Sequence, residues 1–415
     1  MKIAYVSNYL PGFHSHVGGA EKALKQTAEL ARAKGHEPVF FSLPAGSRAN
    51  GLYQIKTLES YLPFLSRLIE ILKWYIFQFD PVAYFGALKA LRMAKPDIVH
   101  LGNFQFLTFS VVAAAQKLGI PVIVSIYDYW YFCPLTTLIR YDTKACRLFH
   151  GPECVKCTPK TFSAAQSVLL RFRKDLFNKY LNMADRFIVL SESSRSILNA
   201  YGIPFNKINV IRFSVQPEAA AARADKAEED SVLFIGWKQK RKGFHILLEA
   251  MKKIVKEKPS AKLTALLQDV KWEKDYEKQI ESLLSQLPEG SVVIEKGQKD
   301  KAYIDRLFSR AAVVAVPEQW ENMSPLIVIE AMLKGKAVVA SDLGGIPEFI
   351  SSGKDGLLAV YDDADDFSKK ILYLFGNKDK AAELGDNARA KVERLLSENI
   401  IAEELNTEYS KWIKR

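Results

Sequence analysis

Residues 315–350, AVPEQWENMSPLIVIEAMLKGKAVVASDLGGIPEFI, leave this chain few folds to choose from. Two short apolar runs, 311–316 and 338–340, have the length and the missing alternation of strands buried on both faces. Between them, Leu326, Ile329, Ala331 and Met332 keep helical spacing until Lys334-Gly335 stops it. Strand, loop, helix, strand is the repeating unit of a parallel sheet covered by helices. Ser324-Pro325 reads as an N-cap with proline in the first turn. Such a helix start aims free N–H groups and the positive dipole end at the 317–323 loop, a place for an anion. Gly344-Gly345 permits close backbone approach. Glu330, about two turns into the helix, can accept hydrogen bonds from a diol. A buried strand–helix–strand unit with an ordinary surface loop satisfies the same pattern.

The block resembles the donor-site signature of retaining GT-B glycosyltransferases of family 4. In that signature two glutamates separated by seven residues precede an Ala-Met helix, a Val-Val-Ala strand and a Gly-Gly-Ile-Pro-Glu turn. Glu330-Ala331-Met332, residues 335–342 and residues 344–348 match it. The first glutamate departs, because the position eight before Glu330 is Asn322, with Glu321 beside it. The resemblance implies that Glu321 or Asn322 meets the donor sugar, and that Met323, Ser324, Pro325, Leu326 and Glu330 hold the rest of the donor.

The first half begins with a strand at residues 2–7, a loop to Gly18-Gly19-Ala20-Glu21, a helix stopped at Gly35 and a strand at 38–42. That order marks a doubly wound sheet. Gly18 and Gly19 can wrap a diphosphate or merely turn the chain; the family's Gly-Gly-Ala-Glu loop implies the former. His100 ends a strand with Asn103 in the following loop, and strand 121–126 runs into Tyr127-Asp128-Tyr129-Trp130. The family has His-Asp-Tyr-Trp here, its histidine near the reacting sugar. Tyr127 can donate a hydrogen bond but is no base at neutral pH, and packing alone also explains a tyrosine at a strand end. The resemblance implies that Tyr127 and Asp128 stand at the reaction and that His100, Asn103, Tyr129 and Trp130 face an acceptor.

Charge divides the chain. Residues 1–215 carry 26 Lys and Arg against 13 Asp and Glu, a net +13, while residues 216–415 come to −2. The first half therefore suits a negative partner: a membrane surface, a lipid pyrophosphate or nucleic acid. Residues 62–79 (with Arg67 and Lys73) and 163–180 (with Arg171, Arg173, Lys174 and Lys179) have the look of basic amphipathic helices that can lie on such a membrane. They can equally be helices covering the sheet. No basic–aromatic module of a nucleic-acid binder is present. With residues 2–7 a strand at once, no signal peptide is expected, and the expected location is cytoplasmic, with contact at the inner membrane face.

Four cysteines follow, Cys133, Cys146, Cys154 and Cys157, spaced C-x12-C-x7-C-x2-C. The closing pair has the spacing of a tetrahedral zinc site, with His150 a spare ligand, so a structural zinc is expected. Unligated reduced thiols, or two disulfides in an exported protein, are the alternatives.

Residues 216–230 are Ala-rich and charged, without apolar period, and read as a linker. A strand at 231–235 then ends in Gly236-Trp237-Lys238-Gln239-Lys240-Arg241-Lys242-Gly243 before a helix. Four cations within five residues on such a loop can clamp a diphosphate. The family has Gly-Arg at the strand end and Lys-Gly before the helix. Lys242-Gly243 fits, but Trp237 replaces the arginine, so Lys238 or Arg241 has to substitute.

The expected fold is α/β, GT-B, with two Rossmann-like doubly wound domains facing a central cleft. Residues 1–215 form the acceptor domain, 231–390 the nucleotide-sugar domain, and 391–415 a helix crossing back. The resemblance implies a transferase that moves a sugar with retention from a nucleotide-diphosphate sugar to a glycan or lipid-linked saccharide, with no catalytic cofactor. The departures at Tyr127, Trp237 and Asn322 keep open a catalytically silent GT-B protein that binds nucleotide or glycan.

Overall fold

The computed structural model describes residues 1–15, 17–46, 51–142, 144–147, 151, 153–158, 163–215, 228–268, 274–297 and 299–412, without the side chains of 163–167 and 274. Most of the 216–230 linker and His150 therefore lie outside the described residues. Two compact units result: Met1–Ser214 with Glu398–Arg415, and Val215–Ser397.

The first unit holds seven strands: β1 (Lys2–Val6), β2 (Glu37–Ser42), β3 (Leu52–Gln54), β4 (Ile98–Leu101), β5 (Val122–Ser125), β6 (Arg186–Val189) and β7 (Ile208–Val210). All pair in parallel, in the order β3-β2-β1-β4-β5-β6-β7. β4 and β5 are buried at every position, which is why they read as unbroken apolar runs. On one face Ile3, Tyr5, Ile98, Ile123 and Ile188 meet Leu24, Ala28 and Ala31 of helix Gly19–Ala33 and Ile401, Ala402, Leu405 and Tyr409 of helix Glu398–Ser410. The expected continuous helix at the end of the chain is interrupted, one helix ending at Leu395 and the next beginning at Glu398.

Two basic stretches depart from expectation. The 62–79 segment is helical only over Ser66–Tyr75, preceded by a short turn at Pro63–Leu65. Lys73, expected on its solvent face, is buried, with Nζ 2.5 Å from Asp80, 2.6 Å from Glu59 and 3.1 Å from the Phe106 carbonyl. Arg173 of helix Ser163–Leu181 is also fully buried. Its guanidinium donates to the carbonyls of Trp74, Tyr75 and Trp130 and lies 3.8 Å from the Phe177 ring centre. Burial pulls its pKa down to about 9. Long cationic side chains with polar partners can turn inward where periodicity alone assigns them to water.

The second unit holds β8 (Ser231–Trp237), β9 (Lys262–Gln268), β10 (Val292–Lys296), β11 (Val313–Val316), β12 (Ala337–Ser341) and β13 (Leu357–Ala359), all parallel, in the order β10-β9-β8-β11-β12-β13. Alternate residues feed opposite faces. Val232, Phe234, Val313, Ala315 and Val339 enter one core, and Leu233, Val314, Val316, Val338 and Ala340 enter the other. Both units are thus Rossmann-like, with helices on both sides of a parallel sheet. No helix among the described residues is long and apolar enough to cross a membrane.

Candidate active site

In the second unit the strand order reverses between β8 and β11. Loops leaving the C-terminal ends of two such strands diverge and open the crevice where parallel α/β sheets hold ligands. The two loops here are 238–243 and 317–325, the segments singled out from sequence.

Three glycines lock these loops to the turn after β12. Gly243 has φ +71°, and a Cβ there would stand 1.7 Å from the Pro317 carbonyl oxygen. A Cβ on Gly344 would meet the Asn322 nitrogen at 2.8 Å, and one on Gly345 the Met323 oxygen at 2.6 Å. Gly345 N–H donates to the Asn322 carbonyl at 2.8 Å. The glycine pair expected to admit a ligand thus admits the 321–323 backbone.

Glu318 is the hub of the loop, and it was not among the residues expected at the site. It is 2% exposed. Its Oε1 lies 2.5 Å from Lys242 Nζ, and its Oε2 accepts from Trp320 Nε1 at 2.7 Å and Asn322 Nδ2 at 2.6 Å. The Trp320 ring lies 4.7 Å from the Arg241 guanidinium and 5.7 Å from Lys242 Nζ, within cation–π range. Only its position directly after Pro317 could have marked Glu318, because its cationic partner is far away in sequence. Asn322 faces inward, its Oδ1 accepting from Ser324 N at 3.1 Å. Glu321 is buried too.

The helix start differs from expectation. The helix runs Leu326–Leu333 and follows Pro325, with no side-chain cap. Asn322, not Ser324, therefore satisfies a loop N–H, and Ser324 Oγ is buried with no hydrogen-bond partner. An orphaned hydroxyl at the positive end of a helix is what a ligand oxygen can complete. Leu326 and Glu330 are exposed. Among the expected clamp cations, Lys238 pairs with Glu277 at 2.5 Å, as Lys242 does with Glu318. Arg241 Nε donates to Gln239 Oε1 at 2.8 Å. Gly236 packs its Cα against the Phe234 ring, which a Cβ would meet at 3.1 Å.

In the first unit the strand order reverses between β1 and β4. There Glu21, buried, accepts from Gly18 N at 2.8 Å and from Asn103 Nδ2 at 2.6 Å. It draws the two loops of the switch point together, while Gly19 has open space where a Cβ would be. Asn103 Oδ1 is buried with no hydrogen-bond partner. Tyr127 stacks on Phe213, and burial pushes its phenol up to about 12 despite bonds to Ser125 and Thr27. It stays protonated, able to donate and unable to act as a base. Asp128 accepts from Trp130 N at 2.8 Å.

Three acceptor residues are corrected. His100, Tyr129 and Trp130 are wholly buried. His100 Nδ1 pairs with Tyr409 Oη at 2.7 Å and Nε2 with Ser125 Oγ at 2.8 Å, and burial lowers its pKa to about 3. It is a neutral core residue. Trp130 Nε1 donates to the Trp74 carbonyl at 3.0 Å, and Tyr129 Oη lies 3.3 Å from Ser194 Oγ. These side chains support the loops and do not present a surface.

The zinc expectation finds no support: among the described residues no three His, Cys, Asp or Glu side chains come together to hold a metal ion. The four cysteines are free thiols. Burial raises Cys133, Cys157 and Cys154, the last to about 11. Cys154 Sγ accepts from Gly151 N at 3.3 Å.

Similarity to known proteins follows this division. Residues 17–218 match the model of Glycosyltransferase Family 4, and residues 215–391 match that of Glycosyl transferases group 1. Sulfoquinovosyl transferase SQD2 of Arabidopsis thaliana is 24% identical over 72% of this chain and 54% of its own length. Amylovoran biosynthesis glycosyltransferase AmsK of Erwinia amylovora is 23% identical over 76% and 78%. The chain spans about half the length of several curated relatives, 54%, 48% and 49% in three of them. The crystal structure of Anabaena Alr3699/HepE in complex with UDP superposes with a TM-score of 0.68 at 17% identity, covering 99% of this chain and 100% of that one. The fold is therefore GT-B, and with nearly the whole length matched by the two models, the chain belongs to the group 1, family 4 glycosyltransferases.

Proposed function

We propose that the chain is a glycosyltransferase that moves a sugar with retention from a nucleotide-diphosphate sugar to a glycan or lipid-linked saccharide, in the synthesis of a cell-surface polysaccharide or glycoconjugate. The observation that carries the proposal is the switch point of the second unit, where Lys242, Arg241, the orphaned Ser324 hydroxyl and the Leu326–Leu333 helix start meet on one interlocked set of loops. Departure of a diphosphate generates negative charge, and preorganised cations with a helix N-terminus stabilise it as it forms. Lys242 and Arg241 would hold the diphosphate, and Glu330 the ribose diol. Asn322 would hold donor sugar hydroxyls, with its amide already fixed by Glu318 and Ser324 N. Tyr127, protonated at neutral pH, would serve the reaction as a hydrogen-bond donor and not as a base. The acceptor hydroxyl would attack on the face that the diphosphate leaves, the anomeric carbon–phosphate oxygen bond breaking as the new bond forms and the hydroxyl proton passing to the departing diphosphate oxygen. The bound UDP of the HepE structure fits this reading of the donor class.

Peripheral contact of the first unit with anionic membrane belongs to the proposal. Its support is narrower than the charge count implies, since Lys73 and Arg173 point inward. It rests on exposed Tyr61, Phe64, Leu65 and Leu68 beside Arg67, and on Phe172 beside Arg171.

The test is a thermal-shift screen of nucleotide sugars, since a ligand that binds the folded state stabilises it by mass action. Product analysis with the stabilising donor follows. A new glycosidic bond of the donor's own anomeric configuration supports the proposal, and an inverted product overturns retention. A second reading, a silent GT-B protein, draws on the engagement of Lys242 by Glu318. Donor binding with neither transfer nor hydrolysis would favour it.

A further inference from the structure

Glu318 is chemically out of place in an anion site. Its carboxylate is 2% exposed, its Oε1 lies 2.5 Å from Lys242 Nζ, and two neutral N–H donors, from Trp320 and Asn322, occupy its Oε2. The Lys242 side chain is 18% exposed. The pair therefore sits at the edge of the loop interior, its carboxylate enclosed and its lysine side chain still partly open to solvent. An ammonium has three N–H donors, so a second anion can approach from the exposed side while the first is still held.

We propose that Glu318 is a positioning residue that stands in for the donor's diphosphate: it pins Lys242 while the site is empty and weakens the lysine's hold on a bound diphosphate. This rests on the donor-site reading above. Without a counter-anion, a flexible lysine stem beside Arg241 would be pushed away by like charge. With Glu318 the stem is held where the loops need it, and the Trp320 ring, bonded to the same carboxylate, lies against both cations. The cost falls on the ligand, because a buried negative charge next to Lys242 opposes the two negative phosphoryl groups. The arrangement suits an enzyme that must release a nucleoside diphosphate after every transfer. It also explains why the sequence tolerates so many cations on one loop: part of their charge is answered from within.

The experiment compares wild type with Glu318→Gln, which keeps the shape and an acceptor oxygen but removes the charge. Affinities are measured for UDP, GDP and ADP, for their nucleosides and for inorganic pyrophosphate, at low and high salt. The expected result is at least fivefold tighter binding of the selected nucleoside diphosphate and of pyrophosphate by the variant. Nucleoside affinity should be unchanged, and the gain should shrink as salt rises. In a Lys242→Met background the same Glu318→Gln change should move diphosphate affinity less than twofold, because the effect acts through the lysine. Unchanged or weaker diphosphate binding by folded Glu318→Gln overturns the proposal and leaves the donor-site reading standing. Failure of wild type to bind any of the nucleotides overturns both. Should Glu318→Gln not fold, tryptophan emission in otherwise native protein decides. Pyrophosphate drawing on Lys242 should change the emission, and the change should vanish in Trp320→Phe. A change that persists in Trp320→Phe counts against the proposal.

Discussion

Adding one methyl group at residue 243 tests whether the loops of the second unit hold one another. In Gly243→Ala the new Cβ would lie 1.7 Å from the Pro317 carbonyl oxygen and 2.7 Å from its carbon. The Lys242 and Pro317 loops must then part by more than about 1 Å, in a packing where overfilling costs about 1–3 kcal/mol. The left-handed φ of +71° adds about 1–2 kcal/mol for a residue with a Cβ. Gly335→Ala separates the two terms. Its φ of +64° carries the same backbone strain, but its nearest neighbour would be 3.8 Å away. Guanidinium unfolding followed by tryptophan fluorescence should show Gly335→Ala losing about 1–2 kcal/mol and Gly243→Ala losing about 2–5 kcal/mol. Only Gly243→Ala should also reduce the thermal shift given by nucleotide. Equal losses, within about 0.5 kcal/mol, and equal nucleotide responses would refute the idea that close loop contact shapes the site.

Glu330→Ala should weaken nucleotide binding by about 1.5–3 kcal/mol with little change in melting temperature, because Glu330 is exposed; titration calorimetry checks this, and unchanged affinity removes Glu330 from the site. Stability should fall on acidification. His100 is held at about 3 and His245 at about 4 by burial, against about 6.5 in an unfolded chain. The unfolded chain therefore binds more protons between those values, and stability present above pH 6.5 is lost as the pH drops. At pH 5 each histidine costs its unit about 2 kcal/mol, and a flat stability profile from pH 7 to 5 would contradict burial of the neutral rings. Co-sedimentation with anionic vesicles should fall with salt, since screening acts over about 8 Å at physiological ionic strength, and Phe64→Ala with Arg67→Ala should reduce it. Equal partitioning onto neutral vesicles would remove the electrostatic part of the argument.

What the sequence made legible, and what it hid, follow from how local each cause is. β1, β4, β5, β8, β11 and β12 show as apolar runs because both faces are covered. β3 and β13 are three residues long, too short for any period to emerge. Gly243 and Gly344 were visible as turn residues, but not that they make room for backbone. Lys73 and Arg173 were assigned to solvent because helical periodicity sorts residues by polarity. It does not register an Asp80 carboxylate or a trio of carbonyls waiting inside. His100 and Trp130 matched motif positions while their partners, Tyr409 and the Trp74 carbonyl, lay far along the chain. Glu318 was hidden for the same reason, since its meaning depends on Lys242.

Helix Glu398–Ser410 belongs to the first unit although the whole of the second is encoded before it. Its Tyr409 is fully buried, bonds the Tyr5 and His100 side chains, and joins a core with Ile3, Leu24 and Ile123. During synthesis the first unit must therefore wait, its His100 ring nitrogen and the apolar face around Tyr5 uncovered, until residue 409 leaves the ribosome. At about 5–20 residues per second that delay lasts on the order of ten seconds or more. The second unit, continuous in sequence, can fold first. A ribosome that stalls or terminates late thus leaves a folded second unit joined to an open first one, and quality control would meet the protein in that form.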